Sequence, residues 1–97
     1  MASSKDYLLF ILELLREVRG ISYKKMMGEY ILYKNNVIFG GIYDNAFLIK
    51  KTKSLVDKGL LEKIPYPNAK AMLIVDSEDP DEVKELVEIA YQDLVSK

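Results

Sequence analysis

Six lysines and six aromatic rings crowd one part of this chain. Lys24, Lys25, Lys34, Lys50, Lys51 and Lys53 lie among Tyr23, Tyr30, Tyr33, Phe39, Tyr43 and Phe47. Cations beside aromatic platforms let a protein hold single-stranded nucleic acid, with ammonium groups on phosphates and rings on bases. The same residue types also build an ordinary sheet, with aromatics in the core and lysines keeping an exposed edge soluble. Type and spacing alone favour that second use. Lys24, Lys25, Lys50, Lys51 and Lys53 are nonetheless the candidate surface for a partner or a nucleic acid.

Other chemistries find less material. Without cysteine or histidine there is no thiolate, no imidazole ligand and no general base that titrates near neutral pH. Ser22 and Lys24 would share a strand face, but activation as a nucleophilic pair needs a desolvated lysine and an oxyanion hole, and neither is signalled. Asp76–Glu82, DSEDPDE, is acidic but lacks the spacing and central glycine of a calcium loop, and Asp79 and Glu82 suit a helix start. FGG at Phe39–Gly41 feeds no helix carrying Lys and Ser/Thr, so it is not a phosphate loop. FGGIY shares only part of the signature of RNA-recognition motifs, without its basic residue or second aromatic. The residues predict no enzyme, no metal and no cofactor.

The elements that must position these groups are legible. SSKD offers a hydroxyl cap at Ser3 or Ser4, and Leu8, Ile11, Leu12, Leu15 and Val18 repeat at helical spacing until Gly20. β-favouring residues follow, punctuated by Asn35-Asn36 and Asp44-Asn45, pairs that tolerate the positive φ of hairpin turns. Strands are expected over 22–34, 37–43 and 46–50, the middle one bulged at Gly40-Gly41. Thr52 would cap a short helix closed by Gly59, IPYPNAK would connect, and AMLIV would form a buried strand. Asp79, Pro80 and Glu82 would start the last helix as cap, first position and box partner. Val83, Leu86, Val87, Ala90, Tyr91 and Leu94 would mark its apolar face. The expectation is an α+β two-layer sandwich, a mostly antiparallel sheet with helices on one face, in the order α-β-β-β-α-β-α.

Ninety-seven residues, 49% apolar and 30% charged, are expected to form one domain, 1–97, able to bury a core without disulfides. The net charge is −1, yet residues 19–63 carry nine basic against four acidic residues, and 65–97 carry three against eight. That asymmetry suits a polyanion-binding face and equally suits mutual compensation within the fold. YLLFILELL is too short to span a bilayer and is interrupted by Glu13, so a cytoplasmic location without membrane contact is expected. The sheet edges and this apolar helix are compatible with a homodimer without requiring one.

YKKMMGEYILY, Tyr23–Tyr33, resembles the signature of the TfoX/Sxy N-terminal domain family, with Lys24, Lys25, Met26, Gly28, Glu29 and Tyr30 falling into its pattern. SSKDYLLFILELL is similar to the family's first helix, and IPYPNAKAML to its proline-aromatic connection. Met27 stands where phenylalanine is common. The resemblance implies a non-enzymatic regulatory or protein-interaction module linked to transcriptional control of competence, acting through protein partners. It also implies a stand-alone N-terminal domain, since full-length regulators continue into a helical domain and this chain stops after its last helix. It further implies one long strand from about Ile21 to Lys34, bent at Gly28. The alternative function is a nucleic-acid-binding domain working through the lysine- and tyrosine-rich sheet.

Overall fold

Ser4 starts the first element, its hydroxyl accepting from the Tyr7 N–H at 3.1 Å. In this computed structural model, which describes residues 3–96, α1 runs Lys5–Leu14. It stops well before Gly20, where the sequence places its end. The Leu15 N–H is shared between the Ile11 and Leu12 carbonyls, and Arg16 and Val18 reach back only three residues. The chain thus tightens into turns that still bury Leu15 and Val18.

The expected long strand is two strands. β1, Ile21–Met26, and β2, Glu29–Lys34, pair antiparallel from Ile21↔Lys34 to Met26↔Glu29. Between them Met27 (φ 53°) and Gly28 (φ 83°) both lie in the left-handed region, the backbone of a two-residue hairpin. Gly28 therefore closes a turn instead of bending a strand. A methionine at its first central position hides the turn from a reading by residue type. The other two turns form where the sequence puts them, with positive φ at Asn35, Asn36, Asp44 and Asn45. They deliver β3, Val37–Tyr43, and β4, Ala46–Lys50.

A 3-10 helix, Lys53–Lys58, follows, and Gly59 ends it in the left-handed region; the Thr52 side chain makes no capping bond. β5, Glu62–Lys63, and β6, Met72–Ile74, complete a six-stranded sheet in the order β1-β2-β3-β4-β6-β5, antiparallel at every step. α2, Pro80–Val95, opens on Asp79, which accepts from the Asp81 N–H and not from Glu82. The α+β class holds, with order α-β-β-β-β-(3-10)-β-β-α in place of the one expected. No helix among the described residues is long and apolar enough to cross a membrane.

Register divides the sheet into two faces. Tyr30, Leu32, Ile42, Phe47, Ile49 and Leu73 point to the helix side, forming one core with Leu8 and Ile11 of α1 and Val83, Val87 and Ala90 of α2. Burying each such aliphatic or aromatic side chain contributes about 1.5–3 kcal/mol. Phe39 is the extra residue of a bulge opposite Leu32 and Tyr33, which lets it join that core beside Gly40. The other face carries Ile31, Tyr33, Ile38, Tyr43, Leu48 and Ile74, which lie outside the core that the helices share. Part of it is covered instead by the loop around Tyr66, whose ring lies 6.0 Å from that of Tyr43.

Candidate functional site

The signature residues sit on the β1–β2 hairpin, and most have work inside the fold. One Glu29 carboxylate oxygen accepts from the Ser3 hydroxyl and the other from the Asp44 N–H at 3.0 Å. The Ser3 oxygen in turn accepts from the Asn45 N–H at 3.0 Å, and the Ser3 N–H donates to the Gly28 carbonyl at 3.0 Å. Ser4 N–H adds a bond to the Asn45 side chain at 2.9 Å. Two turns and the start of the chain are thereby clasped together. Tyr30 is buried, with Tyr23 edge-on to it at 5.8 Å.

What the clasp leaves free is the hairpin tip. Met27 is 96% exposed, and Met26 and Tyr23 are nearly half exposed. Lys24 faces the open side of the sheet and Lys25 the helix side, as their pairing with Ile31 and Tyr30 requires. Both are exposed, and neither has an ion pair among the described residues. Ser22 shares the open side with Lys24, but that lysine is in solvent, so the pair lacks the desolvation a nucleophile would need.

Lys50, Lys51 and Lys53 stand at the opposite end of the sheet. The candidate lysines therefore form two groups and not one surface. Lys34, basic in sequence, joins neither. It is buried on the helix side, with Nζ 2.8 Å from the Arg19 carbonyl, 3.7 Å from a Glu88 carboxylate oxygen and 5.0 Å from the centre of the Tyr91 ring. It ties the α1–β1 connection to α2.

Lys50, Lys51 and Lys53 border a groove of about 990 Å³ that runs over the open face and around its end. Ile31, Ile38, Tyr43 and Met72 line the sheet side, Tyr66 and Lys70 the loop side. Gly41 gives Tyr43 its place, because a Cβ there would come within 2.7 Å of that ring. Burial, and then Tyr66 nearby, push the Tyr43 hydroxyl above its ordinary value, so it stays a neutral phenol. Lys51 is held by Glu62 at 2.8 Å, whereas Lys50 and Lys70 have no ion pair among the described residues.

Asp93 of α2 also borders the groove. Its two oxygens accept from the Ser54 N–H at 2.7 Å and the Ser54 hydroxyl at 2.8 Å, which hold its carboxyl below the ordinary value. Asp93 thus does from α2 the capping that Thr52 does not do. Among the described residues no group of carboxylates assembles as a metal site. No protein-family model matches this chain, and no curated protein does so significantly.

Sequence reasoning missed Tyr66, Lys70, Ser3 and Asp93. Tyr66 and Lys70 lie in a proline-bearing connection with no periodicity to place them. Ser3 and Asp93 act through partners 26 and 39 positions away in the chain. Only for Lys34 was there a signal, since the alternation that turns Tyr30 and Leu32 inward turns Lys34 inward too.

Proposed function

We propose that the protein is a non-enzymatic regulatory module that docks onto a protein partner through the tip of its β1–β2 hairpin. The regulatory part of this reading comes from the resemblance of Lys24–Tyr30 to the TfoX/Sxy N-terminal domain signature, where such a role in competence is expected. The docking part is carried by Met27. A methionine in the left-handed region costs about 1–2 kcal/mol relative to a relaxed conformation, and its apolar surface stays in water at 96% exposure. Neither cost returns anything to the fold. Both are offset when Met27 and Met26 fill an apolar pocket on a partner, with Lys24 and Lys25 meeting carboxylates at its rim.

The substitution Met27→Asn separates the two roles. Asparagine suits the left-handed turn, so the fold gains a few tenths to about 1 kcal/mol in a urea titration. With a photo-crosslinking residue at Met27 in the native host, a discrete adduct identifies the partner. The purified partner then binds Met27→Asn at least about tenfold more weakly than wild type, the loss expected of an anchoring side chain. An unchanged affinity, or a crosslinker at Met27 that captures nothing, sinks this reading.

A further inference from the structure

We infer that the groove on the open face of the sheet is a binding site for single-stranded nucleic acid. Tyr66 and Tyr43 offer ring faces, and Lys50, Lys53 and Lys70 take the phosphates. The inference concerns a surface distinct from the hairpin tip and stands or falls independently of it.

Two ring systems already lie close together on one wall. Tyr66 is 57% exposed, at 6.0 Å and 47° to Tyr43, so its outer face is open to a stacking base. Because Tyr43 stays neutral, it adds no negative charge to repel a phosphate. Ile31, Ile38 and Met72 give an apolar floor beneath the rings. The cations are at one end only, where Lys50, Lys51, Lys53 and Lys70 border the groove; among the described residues that line it the one carboxylate is Asp93, and Lys51 is paired with Glu62 beside it. Asp93 is turned to Ser54 by two hydrogen bonds.

Thr52 lies in the same wall. It is 8% exposed, and after Ser54 its hydroxyl helps hold the Asp93 carboxyl below its ordinary value. A groove with an apolar, ring-bearing floor and a cationic end matches a strand that stacks its bases and lays its backbone along one side. A double helix has no unstacked base to offer Tyr66. The open shape favours a chain that passes through over a ligand that is enclosed.

The test is a fluorescence-anisotropy titration of the full chain with a labelled oligothymidylate about ten nucleotides long, within the span such faces cover, at two salt concentrations. Saturable binding is expected, weaker at higher salt. Tyr66→Ala raises Kd about tenfold. Replacing Lys50 and Lys70 by Ala lowers the log–log salt slope by about 0.7 for each phosphate contact removed. Charge reversal at Lys25 leaves Kd within about twofold, since that side chain faces the helix side of the sheet, away from the groove. All four side chains are exposed, and a thermal melt verifies that each variant folds.

Four results overturn the inference. They are absence of saturable binding, equal loss on charge reversal at Lys25, a blunt duplex bound as tightly as the single strand, and insensitivity to both Tyr66→Ala and the lysine changes. Full competition by free thymidine monophosphate at matching nucleotide concentration would reassign the groove to mononucleotides and so overturns it as well.

Discussion

At the β1–β2 turn, Glu29 gives both carboxylate oxygens to the fold, while at the other end of the same sheet Lys50 and Lys70 have no ion pair among the described residues. The first region holds the signature that a sequence reader notices. The second is assembled from residues on β2, β3, β4, β6, the loop before β6 and the end of α2, which no linear pattern joins. At the hairpin, recognisable residues are mostly structural, and the free chemistry is confined to a tip of two methionines and two lysines. In the groove the relation is inverted, because its bordering lysines hold little of the fold together. A motif can therefore record how a chain folds as much as what the folded chain touches.

The sharpest way to break that contrast is to remove Glu29. Glu29→Ala leaves the Ser3 hydroxyl and the Asp44 N–H without their acceptor, and a loss of about 2–3 kcal/mol is expected in urea unfolding. If stability were unchanged, the signature would have to be explained by something other than the clasp. Lys34→Met comes next. It keeps the packing of the side-chain stem but strips the Arg19 carbonyl of its donor, at about 1–2 kcal/mol. A neutral result would mean that the α1–β1 connection is held by its packing alone.

The smallest effect belongs to the groove end and depends on pH. Ser54, first through its N–H and then through its hydroxyl, holds the Asp93 carboxyl below its ordinary value of 3.8. The folded state therefore prefers the carboxylate. Its stabilisation is complete above that ordinary value and is lost as pH falls through the lowered folded one. Asp93→Asn should thus be less stable than wild type at neutral pH, with the gap closing as pH falls through the lowered folded value. A gap that persisted unchanged in acid would show that asparagine disturbs packing instead of removing a charge-assisted cap.

The parts of the fold written in local chemistry were legible. Asn35-Asn36 and Asp44-Asn45 announce their turns because those side chains tolerate positive φ, and Asp79-Pro80 announces α2. The Met27-Gly28 turn was not, because methionine is a poor resident of the left-handed region and points a reader to a bent strand. The early end of α1 was hidden as well: Leu15 and Val18 keep the helical spacing after the helix has tightened into turns, because the core still claims them. As for the sites, Lys24, Lys25, Lys50, Lys51 and Lys53 were picked out by type. Their separation into two groups is a matter of register and strand order, set by pairings far apart in sequence. The groove was illegible for the same reason, since Tyr66 meets Tyr43 only after β6 has crossed to pair with β4.

The Ser3–Glu29–Asn45 clasp also bears on how sequences of this kind can drift. Three positions spanning 42 steps of the chain meet here, and the side chains of Ser3 and Glu29 rely on each other, while Asn45 joins through its backbone N–H. A carboxylate at 29 is of full use only while a hydroxyl stands at 3, since one of its oxygens serves that hydroxyl and the other the Asp44 N–H. Tolerated changes at these sites should therefore arrive together, so that the start of the chain and its first and third turns vary as one inherited unit.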